Sequence, residues 1–218
     1  ERFFNALDTQ VGKGNYTVFL TADHGAVNVP AYLQSINVPA GYLNSRETKS
    51  KLNAFMERIF GASDLIENVS NNQVFLNRSK ISVLKLNLSE VENAIVNEII
   101  GYKNIDKAYT ATTMRSASFD RGVELLLQNG FNQKRSGDVI YVNDPAVISY
   151  SKTGSTHGSG QNYDTHVPLL FFGSGINKGS TLKRTKITDI SPTISALLGI
   201  SFSNGSSGQP LEIVLKQE

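Results

Sequence analysis

The chain contains three histidines, His24, His157 and His166, and each lies in a glycine-containing loop beside one of the two most apolar runs of the sequence. The first follows Asp23 directly, so that a carboxylate and an imidazole adjoin just before Gly25, at the end of the apolar run Tyr16 to Leu20. Carboxylate oxygen and imidazole nitrogen are the usual ligands for zinc where thiolates are lacking. Two neighbours in extended chain point in opposite directions, so both face one ion only if the backbone bends, and Gly25 permits a bend. Asp23-His24-Gly25 is therefore either an ordinary polar loop or half of a metal site.

His157 sits between Thr156 and Gly158 in "SKTGSTHGSGQNYDTH", a segment too rich in glycine and serine for helix or core strand. It reads either as part of a surface loop or as a ligand with small neighbours, which let metal and substrate approach. His166 and Asp164 fit better as structural residues, or as hydrogen-bond partners that orient a ligand, than as ligands themselves. Ser155 and Ser159 lack the G-x-S-x-G elbow of a serine hydrolase nucleophile. No Walker-type or dinucleotide glycine pattern is present.

These loops must be held by something, and the composition sets the bounds. With 218 residues, 39% hydrophobic and 18% charged, the chain suits a globular protein with a substantial core. The net charge of +2 and the lack of a lysine or arginine run argue against nucleic acid. No apolar stretch approaches the roughly 20 residues that cross a bilayer. Without cysteine there is neither a disulfide framework nor a thiolate site. Five Asn-X-Ser/Thr sequons fit chance in a chain so rich in these residues, and the one at Asn15 runs straight into a buried-strand pattern.

Phe3, Phe4, Leu7 and Val11 share a helical face before Gly12 and Gly14, and the chain starts without Met or a leader, so it is expected to begin inside a helix of a longer protein. Tyr16 to Leu20 and Val167 to Ile176 are apolar on both faces, which predicts parallel strands covered by helices. Between them the spacing predicts helices over 45–60, 88–101 (capped by Ser89) and 121–130, with strands over 72–77, 105–112 and in two runs between 138 and 150. A final helix is signalled by Asp189 and Ser191 before Pro192, with Gly199 past its end. The expected fold is α/β: part of a mainly parallel sheet flanked by helices, carried by residues 1–44 and 146–218, with a helix and a smaller inserted α/β subdomain over 45–145.

"TADHG" after a buried strand, "THGSGQNYDTHVPLLFFGSGI" and "TDISPTISALLGI" together resemble the alkaline phosphatase superfamily. The likeness is greatest to bacterial phosphate-irrepressible alkaline phosphatases related to nucleotide pyrophosphatase/phosphodiesterases, and it spans nearly the whole chain. The resemblance implies a pair of zinc ions at the C-terminal edge of a parallel sheet. Asp23 and His24 match the pair that holds the zinc binding the nucleophile. His157 matches the histidine that holds the other zinc.

The same resemblance places the nucleophilic hydroxyl, a further Asp and an Asp-x-x-x-His pair upstream of "TADHG". No catalytic residue is therefore assigned within this chain, and its expected partner is a missing N-terminal part of the same polypeptide. The implied activity is hydrolysis of phosphate monoesters through a phospho-enzyme intermediate, in a periplasmic or secreted protein. The alternatives are a nucleotide phosphodiesterase, a sulfatase or a metal-dependent phosphoglycerate mutase of the same superfamily, and, from another class, a non-enzymatic binding module.

Overall fold

In the structure, a computed structural model that describes residues 1–216, the apolar run after Asn15 forms the strand Thr17–Leu20. Its partner is the strand Leu170–Gly173, and the two run antiparallel, with Thr17 opposite Gly173 and Leu20 opposite Leu170. They belong to a unit made of Glu1–Asp23 and the chain from Val167 onward. The sheets are small and largely antiparallel, so the expected mainly parallel sheet is not confirmed: among the described strands the only parallel pairing is between the two-residue strands Gly41–Tyr42 and Val147–Ile148. An all-apolar run reports that a strand can be covered on both faces; it carries no information on the direction of the strand beside it. Nor are these strands covered within the unit, for Phe19, Leu20, Leu170 and Phe172 are each between 44% and 57% exposed.

The helix expected at the start extends over Arg2–Leu7 and continues as a π-helical turn, Asp8–Gly12. Phe4 meets Phe172 edge to face at 5.0 Å, and the Tyr16 hydroxyl donates to Asp8 at 2.7 Å. Gly173 is irreplaceable on steric grounds, since its φ is 118° and a Cβ there would lie 2.1 Å from the Tyr16 carbonyl oxygen. The last long helix, Ile190–Leu197, starts after Asp189 and ends before Gly199, whose φ of 60° turns the chain out of the helix. The fully buried Thr193 joins this helix to the C-terminal segment: its hydroxyl donates to Asp189 O at 2.6 Å and accepts from Leu211 N at 2.9 Å.

The second unit, His24–His166, contains a four-stranded antiparallel sheet. Its strands lie in the order Ile66–Ser70, Gln73–Leu76, Val139–Asn143, Ile105–Thr110. The helices Ser45–Phe60 and Leu88–Ile99 pack on it, and Leu52, Met56, Val74, Val91, Ile95 and Val139 are wholly shielded from solvent. The first helix starts on Asn44, whose side chain accepts from Arg46 N and Glu47 N, and stops at Gly61 with φ 65°. The second starts on Asn87 rather than on the expected Ser89, because Asn87 Oδ1 accepts from Ser89 N at 2.9 Å and from Glu90 N at 3.3 Å.

Asn71 and Asn72 link the first two strands of this sheet in a two-residue turn with φ of 49° and 56°, the left-handed pair that matches strand twist. Asp138 anchors the sheet's far end: one carboxylate oxygen accepts from Leu76 N and the other from the Arg78 guanidinium. The four-residue helix Asn162–Thr165 was hidden from periodicity by its shortness, as were the six-residue helices Pro30–Ser35, Arg78–Val83 and Ala111–Ser116.

Candidate metal centre

Two loops of the second unit carry the histidines singled out above, and three contacts fasten them together. Gly25 N donates to Asp164 O at 2.8 Å. Ser155 Oγ donates to Val27 O. The third contact is steric: a Cβ on Gly25 would lie 2.1 Å from Tyr163 O, so the backbones of the two loops meet at a distance that only glycine allows. Gly25 is absent from the residues with positive φ, so its necessity comes from close approach and not from the bend anticipated in the sequence.

Latched in this way, the loops bring His24 and His157 into ring contact, with centroids 3.3 Å apart and planes inclined by 16°. His24 Nδ1 lies 2.8 Å from Gly25 O. A carbonyl can only accept, so Nδ1 carries a proton and donates it into this hydrogen bond. A backbone carbonyl on one ring nitrogen is the usual arrangement for an imidazole that binds metal through the other. The residues therefore fit a metal by the chemistry of the donors. His24 is half-buried and His157 exposed, as is Asp23, the residue preceding His24 in the chain.

The stacking also limits what the rings can share. Each imidazole lone pair lies in its ring plane, and two nearly parallel, stacked rings aim their lone pairs along separate planes. One tetrahedral ion needs converging ligands. Such a pair suits two neighbouring ions better than one. Among the described residues no group of three or more His, Cys, Asp or Glu is gathered as a metal cluster.

Asp164, only 5% exposed, acts as a structural hydrogen-bond partner, one of the two roles expected of it. Its Oδ2 accepts from Gly158 N at 3.1 Å, Ser159 N at 2.8 Å and Ser159 Oγ at 2.7 Å. It thus fixes the residues directly after His157, and it does so through backbone groups instead of an imidazole. The clue was a carboxylate a few residues beyond a glycine and serine run, where backbone N–H groups need an acceptor. His166 ends the Asn162–Thr165 helix in an exposed position, its backbone N bonded to Asn162 O at 2.9 Å.

Beside His157 opens a cleft of about 610 Å³, bordered by Ser45, the Asn71–Asn72 turn, Asn143, Ser149 and Tyr163. Sequence reasoning did not find it, because its walls come from a turn, a strand end and a loop far apart in the chain. The dipeptide Asn71-Asn72 between two strand-forming runs was the available signal for the turn alone.

A family model described as type I phosphodiesterase / nucleotide pyrophosphatase matches residues 1–167. The chain is 37% identical over 98% of its length to alkaline phosphatase PafA of Elizabethkingia meningoseptica, of which it covers 39%. It is 36% identical over 99% of its length to a calcium-transporting ATPase of Myroides odoratus, of which it covers 40%. The crystal structure of wild-type PafA superposes with a TM-score of 0.91 at 36% identity, covering 99% of this chain and 41% of that one. The chain thus spans about two fifths of the length of these relatives.

Proposed function

The chain belongs to the type I phosphodiesterase / nucleotide pyrophosphatase family, and we propose that it is the C-terminal part of a zinc-dependent phosphomonoesterase acting through a phospho-enzyme intermediate. The observation that carries this reading is the face-to-face contact of His24 and His157, which brings together imidazoles from two loops far apart in the chain. Similarity to alkaline phosphatases supports the monoester substrate.

In this reading Asp23 and His24 hold one zinc and His157 the other. Zinc, when bound, supplies Lewis-acid stabilisation of the entering and departing oxygens. Nε2 is then the ring nitrogen that would meet the ion, because Nδ1–H donates to Gly25 O. Asp164 holds the Gly158–Ser159 backbone so that His157 stays beside its partner ring. The hydroxyl nucleophile and the remaining ligands come from the part of the relatives that this chain does not span, in keeping with its 39% coverage of PafA. Among the described residues no helix is long and apolar enough to cross a membrane, and the proposed location is periplasmic or secreted.

The full-length protein, assayed on an aryl phosphate, a bis-aryl phosphate and an aryl sulfate, tests the reading. It predicts fastest turnover of the monoester. A preference for the diester or the sulfate would assign the protein to a neighbouring activity of the superfamily, and a lack of turnover on all three would support a binding module.

A further inference from the structure

The cleft beside His157 has a lining that selects for one kind of molecule. Ser45, Asn71, Asn72, Asn143, Ser149 and Thr156 supply neutral hydroxyl and amide groups, and no lysine or arginine contributes to its wall. Asn143 is positioned by donating through Nδ2 to Val147 O at 3.4 Å. Asp164 also borders the cleft. A volume of about 610 Å³ lies within the roughly 300–1,000 Å³ usual for small-molecule sites.

We propose that this cleft receives the alcohol portion of the phosphate ester, and that it is built for a neutral, polyhydroxylated alcohol such as a furanose or a sugar alcohol. Hydroxyl groups both donate and accept, and so match the serine and threonine hydroxyls and asparagine amides of the wall. An alcohol bearing further phosphates would meet no cation here. The Asn71–Asn72 turn projects from the four-stranded sheet to the cleft, which makes it the specificity-determining element for the leaving group. The inference rests on the phosphatase reading for the position of the reacting phosphate, next to His157, but the affinity of the cleft for a polyol does not.

Two measurements test it. The 218-residue chain is titrated with methyl β-D-ribofuranoside, which carries no phosphate, and with cyclohexanol as an apolar control, while amide resonances are followed by NMR. Saturable shifts at Asn71, Asn72, Asn143 and residues 156–159 with the riboside only are expected; shifts with neither, or equally with both, overturn the proposal. In the full-length protein, the ratio of kcat/KM for ribose 5-phosphate to that for an aryl phosphate is compared between wild type and the double variant Asn71→Gly, Asn72→Gly, which keeps the left-handed turn. Loss of one or two neutral hydrogen bonds predicts a fall in that ratio of about tenfold. A ratio unchanged within twofold removes the turn from specificity. If neither ester is cleaved, the phosphatase reading fails and the titration decides the cleft by itself.

Discussion

His24 and His157 stack their imidazoles with centroids 3.3 Å apart, although most of the chain lies between them. The proposed two-metal centre rests on this contact. In the full-length protein, His24→Ala and His157→Ala should each abolish hydrolysis of an aryl phosphate, since removing a direct ligand can empty a metal site. His166→Ala should cost no more than about 10 to 100-fold, the usual effect of a residue that only supports a ligand. Equal losses for His166 and His157 would mean that the wrong histidine has been assigned to the second ion.

Gly25 offers a steric test of the latch. A Cβ at this position would lie 2.1 Å from Tyr163 O, and the Gly25 N to Asp164 O bond would have to break to relieve it. Gly25→Ala should therefore lower stability by about 1 to 3 kcal/mol, the range for forced overpacking. Thermal unfolding of this chain reads that loss directly. Gly158→Ala is the informative comparison: its φ of 119° strains any side chain, yet nothing lies within 4 Å of the added Cβ, so the damage there should be conformational rather than steric.

How far the sequence reached can be judged from these same residues. The adjoining Asp23 and His24, and His157 among small residues, were legible because ligand chemistry restricts residue types and glycine-rich loops stand out. The Ser45–Phe60 helix and the central strands were legible from periodicity. Strand direction was not, since the apolar pattern of Leu170–Gly173 is the same whichever way its neighbour runs. Nor was the role of Gly25, because close approach depends on Tyr163, a partner that only the folded chain supplies. The cleft beside His157 was invisible for the same reason.

The cap of the Leu88–Ile99 helix separates two readings by one substitution. Asn87→Ala should destabilise the chain by about 1 kcal/mol, because its side chain accepts from both Ser89 N and Glu90 N. Ser89→Ala, within the first turn, should leave the unfolding midpoint nearly unchanged. Denaturant unfolding of the two variants decides which residue is the cap.

Glu124 sets an acid limit on part of the stability. Hydrogen bonds from Lys107 at 2.8 Å and from the Tyr109 hydroxyl at 2.6 Å pull its carboxyl down to about 2, below the ordinary value near 4.5. A carboxyl depressed on folding contributes stability that is complete above its unfolded value and is lost as pH falls through its folded one. Glu124→Gln should therefore lower the unfolding midpoint at pH 7, and the difference from wild type should shrink between about pH 4.5 and 2. A difference that stays constant across that window would show that Lys107 and Tyr109 do not depend on the charge.

Metal content of the full-length protein tests the central claim most directly. Wild type, dialysed against micromolar zinc and then against metal-free buffer, is predicted to retain two zinc ions per chain, as a two-metal centre requires. Because the stacked rings direct their lone pairs along separate planes, His24→Ala and His157→Ala should each lose one ion and leave the other measurable. Full zinc content in both variants, or none in the wild type, would contradict the assignment of His24 and His157 to two neighbouring ions.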